Sequence, residues 1–347
     1  MNSDLQVKPL VRFLCIPDVD DRPIGGVKQI YRHVEHLCAL GWDAAVLTET
    51  QGFKPSWFAS QAPTISISNA HSLGELSSSG CILVLPETFI STNLSCILGY
   101  DLSKLPTVVF NQNAYYTYGQ IHEGTALEIQ RFYDNAQLLQ VLAISEDTHA
   151  FLSRNLGLSD VMLSRIINAI EPTFVNDHPK SDLIHWMPRK NPEHVQAILL
   201  GIQRIQLKYG QGWQAAPLFN LSHSQVADRL NRSRIFLSFG HPEGFGLPIA
   251  EAMASGCYVI GYSGGGGREL FGFGTSQEIN FGDWTSYLTA IKDVLIRFTE
   301  QPREMAFLLQ RNSHAVRNLY SFDQERQSIA LAWERIEQAF FSWREYQ

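Results

Sequence analysis

The sequence predicts an α/β protein of two domains, each built around a parallel β-sheet. Its 347 residues fit two domains of about 100–200 residues each. Short apolar runs typical of buried strands alternate with amphipathic helical stretches, as in the strand–loop–helix–strand unit of residues 11–47. A second such stretch, residues 235–256, joins an apolar run to a short helix through a glycine loop. In sheets of this kind ligands bind at the carboxyl ends of the strands.

The composition indicates two sizeable cores and argues against a nucleic-acid partner. The chain is 45% hydrophobic and 18% charged, with a net charge of −7. Residues 1–172 hold 10 Lys and Arg against 17 Asp and Glu, so electrostatic anchoring to an anionic membrane is not expected. No apolar run of about 18 residues occurs and the first eight residues are polar, which predicts a cytoplasmic protein. The five cysteines form no C-x-x-C pair, so we expect free thiols.

The first domain opens with a strand at residues 11–17, a loop and a helix. Asp18 and Asp20 lie in the loop, and Gly25-Gly26 precede the helix. A D-x-D pair can hold a divalent cation, but this one follows the first strand and precedes a glycine turn. We therefore favour a solvated loop over a metal site at this position.

Later strands of the first domain carry polar residues into loops. The strand at residues 106–110 is followed by Gln112 and Asn113 and then by Tyr115, Tyr116 and Tyr118. The tyrosines fit two interpretations equally well, a platform for an acceptor molecule or simple loop packing. An amide side chain can orient a hydroxyl group but cannot act as a base near neutral pH.

Two cations mark the start of the second domain. A strand at residues 183–187 leads to Arg189 and Lys190, immediately before a helix. Positive charge at the amino end of a helix opposes the helix dipole, which favours an anionic ligand as the reason for both residues. A solvated basic helix start is the simpler alternative.

The most informative stretch is the glycine loop after the strand at residues 235–239. Two carboxylates, Glu243 and Glu251, flank the start of a short helix, with seven residues between them. Pro248 suits the first residue of that helix and Gly256 suits the position after its end. Free N–H groups at such a helix start bind anions, so the loop fits a phosphate.

The residues E-G-F-G-L-P-I-A-E-A-M-A-S-G-C, with the Glu243-x7-Glu251 spacing, resemble the signature of retaining glycosyltransferases of the GT4 type, the glycosyl transferases group 1. The loop at residues 264–269, with four consecutive glycines, is similar to the family's next segment. The alternative is an ordinary strand–turn–helix whose glycines serve only close packing.

The resemblance implies the GT-B fold, in which two Rossmann-like domains face each other across a cleft. It gives an acceptor-side domain at residues 1–172, a nucleotide-sugar domain at 173–320 and a final helix at 321–347 that crosses back to the first domain. Ser321 suits the N-cap of that helix.

The resemblance also implies roles for the charged residues. Arg189 and Lys190 would stabilise the departing diphosphate, and Glu243 would orient the transferred sugar; these three are the predicted catalytic residues. Glu251 would accept hydrogen bonds from the ribose.

Glycines make up most of the remaining predicted donor site. The predicted donor-binding residues besides Glu251 are Gly25, Gly26, Gly244, Phe245, Gly246, Leu247, Gly265 and Gly266. On the acceptor side, many family members have a histidine where this chain has Gln112 or Asn113, and Tyr115 is close by. The resemblance implies no cofactor and no metal.

The predicted reaction moves a sugar from a nucleoside diphosphate to an acceptor hydroxyl, with retention of the anomeric configuration. The acceptor could be a small molecule, a glycan or a lipid-linked compound. Two other classes remain open: a nucleotide-sugar epimerase on the same fold, and a partner protein that binds nucleotide sugars without catalysis.

Overall fold

The computed structural model describes residues 7–21, 23–77, 80–90, 93–117, 126–209 and 212–346. Contacts within the chain divide it into two compact units. The first comprises residues 1–167 and 326–347, and the second comprises residues 168–325. Each unit contains one parallel sheet covered by helices, so the predicted α/β class is confirmed. None of the described helices is long and apolar enough to span a bilayer.

The first unit is built on a seven-stranded sheet in the order β3-β2-β1-β4-β5-β6-β7. Every neighbouring pair is parallel, and the strands are almost wholly buried because helices cover both faces. The strands are β1 (Leu10–Leu14), β2 (Ala44–Thr48), β3 (Thr64–Ser66), β4 (Cys81–Pro86), β5 (Thr107–Asn111), β6 (Leu138–Ala143) and β7 (Leu163–Arg165). The helices before residue 168 are α1 (Gly25–Ala39), α2 (Ile67–Ser72), α3 (Ala126–Tyr133) and α4 (Glu146–Leu156).

The second unit has a smaller sheet in the order β12-β11-β10-β8-β9, also parallel throughout. Its strands are β8 (Ser181–Trp186), β9 (Gln214–Pro217), β10 (Ser233–Ser238), β11 (Tyr258–Gly261) and β12 (Ser276–Glu278). Its helices are α5 (Pro192–Tyr209), α6 (His223–Arg232), α7 (Leu247–Ala254), α8 (Trp284–Glu300) and α9 (Pro302–Leu319). The edge strand β9 is only four residues long and exposed.

The last helix, α10 (Phe322–Glu345), supplies core side chains to the first unit. Trp333 is fully buried, and its indole Nε1–H donates to Nε2 of His33 at 2.8 Å. The ring of Trp333 also packs against Phe13 and Trp42. Burial lowers the pKa of His33 to about 3, so its imidazole is neutral and Nε2 can accept this hydrogen bond. The helix is thus fixed by a buried aromatic cluster.

Strand order shows where ligands should bind in each unit. Parallel α/β sheets bind ligands beyond the carboxyl ends of the strands, at the point where the chain reverses its direction of winding. This point lies between β1 and β4 in the first unit and between β8 and β10 in the second. The loops after these four strands are therefore the candidate site loops.

Candidate active site

In the second unit, the loops after β8 and β10 bring a cation and a carboxylate into contact. Nζ of Lys190 lies 2.8 Å from Oε1 of Glu243, and both side chains are 24% exposed. The ammonium also donates to the carbonyl oxygen of Pro242. Two of its three N–H groups are therefore engaged, and one remains for a ligand. In Glu243 the second oxygen, Oε2, has no hydrogen-bond partner among the described residues.

Asn191 joins the same two loops through backbone carbonyls. Its side-chain Nδ2 donates to the oxygen of Phe239 at 2.7 Å and, more weakly, to that of His241 at 3.4 Å. The residue has a φ of +50°, a conformation that asparagine tolerates better than most residues. Asn191 thereby fixes the position of Lys190, its neighbour, relative to Glu243. Sequence reasoning passed over this residue.

Arg189 differs from Lys190, with which it was predicted as a pair. Its side chain is exposed and forms no hydrogen bond or ion pair within the part of the chain that the structure describes. It lies on the same loop as Lys190, so a ligand at the loop could recruit it. The structure fixes only one of the two cations in advance.

The glycine-rich loop after β11 packs directly on the loop after β10. The N–H of Glu243 donates to the oxygen of Gly264 at 2.8 Å, and the N–H of Gly266 donates to the oxygen of Glu243 at 3.0 Å. Gly265 faces Glu243 as an isolated parallel bridge. A Cβ at Gly266 would lie 1.9 Å from the oxygen of Gly244, so no other residue fits without movement of the backbone. The two predicted glycine segments form one rigid double loop.

Helix α7 begins at this double loop without a side-chain cap. Its N-cap is Gly246, with a φ of +82°, and no acidic residue lies in its first turn. Leu247 is its first residue and Pro248 its second, so the helix begins one residue earlier than the sequence predicts. The positive end of the helix dipole and the uncapped N–H groups suit an anion. The side chain of Phe245 is buried against Tyr320, so its backbone is the part available to a ligand.

Glu251 lies in the middle of α7, where its carboxylate meets an imidazole. Nε2 of His223 is 3.1 Å from Oε1 of Glu251. The carboxylate side chain is 12% exposed, and the histidine is 42% exposed. Sequence reasoning did not identify His223, because nothing in the local pattern of α6 connects it with α7.

An aromatic cluster supports the loop that carries Glu243. The ring of Phe281 stacks between the imidazoles of His241 and His194, at centroid distances of 4.4 and 4.8 Å. Nδ1 of His194 is in turn hydrogen-bonded to the hydroxyl of Tyr262 at 2.8 Å. Burial, together with the charge of Lys190, lowers the pKa of His241, which favours a neutral ring. The cluster ties the loops after β10 and β12 to the first turn of α5.

In the first unit, the loops after β1, β4 and β5 also converge. Helix α1 begins at Gly25 without a side-chain cap. A Cβ at Gly26 would lie 3.1 Å from Oε1 of Gln112, so the amide of Gln112 lies against the first turn of α1. The structure therefore brings together Gly26 and Gln112, two residues predicted on opposite sides of the reaction.

A buried carboxyl group lies beneath this turn. Oε2 of Glu87, which follows β4, accepts from the N–H of Gln112 at 2.9 Å, and Asn113 also donates its backbone N–H to it. Burial raises the pKa of Glu87 to about 7, although the backbone hydrogen bonds oppose this shift. Sequence reasoning did not mark Glu87 as a site residue; its one local signal is a carboxylate directly after the apolar run of β4.

Two further predicted residues of the first unit are held by neighbours. The side chain of Asn113 is buried and accepts from the N–H of Tyr115 at 3.2 Å. The hydroxyl of Tyr115 donates to Oδ2 of Asp147 at 2.8 Å. Tyr118 lies outside the described residues. Neither interpretation of the tyrosines is decided by these contacts.

The carboxylates of the D-x-D pair bind backbone N–H groups. Asp18 accepts from Glu49 and Thr50 at 3.0 and 2.8 Å, and Asp20 accepts from Ser56. These contacts shape the loop after β1. Among the residues that the structure describes, no three His, Cys, Asp or Glu side chains gather as a metal site. The five cysteines are all free thiols, three of them buried, as the sequence predicts.

Comparison with known proteins matches parts of this chain to glycosyltransferases. Residues 200–305, which include the double loop and α7, match the family model of the glycosyl transferases group 1. This match agrees with the resemblance seen in the sequence, and it lies within the second unit. A 44-residue segment is 50% identical to an alpha-1,6-glucosyltransferase of Actinobacillus pleuropneumoniae serotype 7 (strain AP76), and it covers 13% of each chain.

Solved structures show the fold of the whole chain. Sucrose-phosphate synthase (tll1590) from Thermosynechococcus elongatus has a TM-score of 0.69 at 14% identity, with coverage of 96% of this chain and 100% of that one. Anabaena Alr3699/HepE in complex with UDP has a TM-score of 0.65 at 12% identity, with coverage of 94% and 99%. The predicted GT-B fold is therefore confirmed.

Proposed function

We propose that this chain is a retaining, metal-independent glycosyltransferase that uses a nucleoside diphosphate sugar as donor. The observation that carries the proposal is the contact of Lys190 with Glu243 beside the uncapped start of α7. A diphosphate needs positive charge and N–H donors, and a sugar needs an acceptor for its hydroxyl groups. Both kinds of group are present at this one switch point.

In the proposed reaction, the bond between the anomeric carbon and the diphosphate oxygen breaks, and its electron pair stays on the diphosphate. This charge would be stabilised by the free N–H of Lys190, the exposed guanidinium of Arg189 and the amides of residues 244–247. The acceptor oxygen bonds to the anomeric carbon, and its proton passes to an oxygen of the leaving phosphate. Glu243 would fix the sugar through its hydroxyl groups.

The remaining predicted residues complete the proposal. Glu251 would accept from the ribose, and Gly265 and Gly266 would keep the double loop close to the donor. In the first unit, Gly25 and Gly26 would contact the donor, while Gln112, Asn113 and Tyr115 would serve the sugar and acceptor side. The acceptor is a small molecule, a glycan or a lipid-linked compound. The cytoplasmic location expected from the sequence, like the absence of a cofactor, stays a prediction.

The names of similar proteins favour a UDP-sugar as the first donor to test. One solved structure of Anabaena Alr3699/HepE contains UDP and glucose, and another contains UDP-glucose. In these two structures the protein is 14% and 13% identical to this chain over the aligned residues. They therefore suggest the class of donor, a UDP-sugar, and not which UDP-sugar this chain uses. The sequence match to an alpha-1,6-glucosyltransferase favours glucose as the transferred sugar.

A thermal-shift screen with UDP-, GDP-, ADP- and dTDP-sugars tests the proposal. A donor at a hundredfold excess over its dissociation constant stabilises the folded state by about 2.7 kcal/mol. We expect one nucleotide class to raise the melting temperature, and Lys190→Ala to abolish that rise. A screen in which no nucleotide sugar stabilises the chain would contradict the proposal.

One observation favours a second candidate, a non-catalytic protein that binds nucleotide sugars. Gln112 stands where many members of the family carry a histidine, and an amide cannot act as a base. Slow hydrolysis of the donor without acceptor would favour the transferase over this candidate, because a pure binding protein leaves the donor intact.

A further inference from the structure

The second carboxylate of the signature, Glu251, is held by a residue outside the signature. His223 is the first residue of α6, whose start is fixed by a capping box between Ser222 and Gln225. The imidazole packs edge-to-face with the ring of Phe174, a fully buried residue, at a centroid distance of 5.1 Å. Backbone and ring of His223 are therefore both fixed by their surroundings.

The contact between the two residues has a defined direction. A carboxylate can only accept hydrogen bonds, so Nε2 of His223 carries the proton and donates it to Oε1 of Glu251 across 3.1 Å. The other carboxylate oxygen, Oε2, has no hydrogen-bond partner among the described residues. The side chain of Glu251 is mostly buried, at 12% exposure, while the histidine at its rim is more exposed. One oxygen is thus anchored and the other is left for a ligand.

We propose that His223 is a positioning residue. It makes this chain bind nucleotides that carry the ribose hydroxyl groups more tightly than nucleotides that lack them. By binding Oε1, it stops the flexible glutamate from rotating and directs Oε2 at the ribose hydroxyl groups. A binding group that is fixed in advance loses less entropy when its ligand arrives. The inference rests on the proposed function, because it assumes that Glu251 meets the ribose of a nucleoside diphosphate.

Two ligands separate this role from a general effect on the site. UDP carries both ribose hydroxyl groups, and 2′,3′-dideoxy-UDP carries neither, while base and diphosphate are unchanged. Calorimetric titration of the full chain should show UDP binding at least tenfold more tightly, the scale of a hydrogen bond to a charged group. Should the wild type prefer GDP or ADP to UDP, the corresponding dideoxy nucleotide replaces the probe.

We expect His223→Leu to lower the affinity for UDP about tenfold and to leave the affinity for 2′,3′-dideoxy-UDP unchanged. His223→Gln should retain most of the discrimination, since its amide nitrogen can replace Nε2 as the donor. His178→Leu, a change of an exposed histidine in the same unit, is the matched control and should bind both ligands as the wild type does. Melting curves of all variants check that the fold persists.

The outcomes separate the two proposals. Wild-type protein that binds no nucleoside diphosphate would overturn the proposed function, and this inference with it. The wild type and the His223→Leu variant could both prefer UDP to 2′,3′-dideoxy-UDP by the same factor. This result would overturn the role of His223 and leave the proposed function standing. Equal weakening of both ligands in that variant would also overturn that role, because the effect would then be general disturbance of the site.

Discussion

Lys190 and Glu243 are in contact through an ammonium–carboxylate distance of 2.8 Å, although they lie on loops after different strands. The contact depends on the pairing of β8 with β10, which places Trp186 beside Leu237 and so aligns the ends of the two strands. It joins the residue proposed to bind the diphosphate to the residue proposed to bind the sugar.

Lys190→Ala should lower turnover by roughly two to three powers of ten, the scale for loss of one preorganised charge stabiliser. Arg189→Ala should lower it less, because Arg189 is exposed and must lose side-chain entropy before it can help. Steady-state kinetics with the best donor from the screen measure both. Unchanged turnover in the Lys190 variant would remove this residue from the mechanism.

The two glutamates of the signature should give different kinetic profiles. Glu251→Gln should weaken the binding of the donor and of the nucleoside diphosphate to the same extent, with a modest drop in turnover. The reason is that a ribose contact exists before and during the reaction. Glu243→Gln should leave the affinity for the diphosphate nearly unchanged while turnover falls, because its amide oxygen can still accept from Lys190 and its proposed ligand is the transferred sugar. Calorimetry and kinetics on each variant test this difference, and exchanged profiles would reverse the two roles.

Gly266→Ala should destabilise the second unit and disturb the donor site. The added methyl group would lie 1.9 Å from a backbone oxygen, that of Gly244, so one of the two loops must move. Overpacking of this kind costs about 1–3 kcal/mol of the free energy of unfolding. The control is Gly272→Ala, where the methyl group meets nothing within 4 Å. Equal melting temperatures for the two variants would show that the double loop adapts.

Glu87 should make the stability of the first unit depend on pH. Burial raises its pKa from 4.5 to about 7 in the folded chain, so the folded state holds this proton more tightly than the unfolded state. Stability from this group is fully present below pH 4.5 and is lost as the pH rises through about 7, by up to about 3 kcal/mol.

Glu87→Gln should remove this pH dependence, because the neutral amide can still accept a backbone hydrogen bond and carries no charge to bury. Denaturant unfolding gives the free energy of unfolding of the variant minus that of the wild type. This difference should be larger at pH 8 than at pH 5. Glu334→Gln, a change of an exposed carboxylate on α10, is the control. If the difference in the free energy of unfolding between wild type and Glu87→Gln did not change with pH, the raised pKa of Glu87 would be contradicted.

Turnover should survive chelation of divalent cations. Lys190 and the start of α7 supply positive charge to the diphosphate without a metal ion. Activity in excess EDTA, compared with activity after addition of Mg²⁺ or Mn²⁺, measures this. If EDTA abolished turnover and Mn²⁺ restored it, Asp18 and Asp20 would become candidate ligands.

The sequence predicts the local parts of this site and misses the contacts between them. The start of α7, with Gly246 before it and Pro248 in its first turn, follows from backbone preferences that act over a few residues. The contact of His223 with Glu251 depends on how α6 packs against α7, and the contact of Gly26 with Gln112 depends on the order of strands in the first sheet. No pattern along the chain encodes either distance.

Resemblance to a family supplied the roles of the charged residues, and it also set the limits of the prediction. It marked Arg189 and Lys190 as equals, whereas packing fixes only Lys190. It left Glu87 unmarked, because a carboxylate after a strand usually faces solvent. Only the fold shows that Glu87 is buried under the turn formed by Gln112 and Asn113.

Turnover of the donor in the absence of acceptor is the most direct test of the central claim. The wild type should slowly release nucleoside diphosphate from the nucleotide sugar that stabilises it, and Lys190→Ala and Glu243→Gln should release far less. Proton NMR should show the freed sugar first in the anomeric configuration of the donor. A chain that binds the donor tightly but never releases diphosphate, with or without added acceptors, would contradict glycosyl transfer and leave a binding protein.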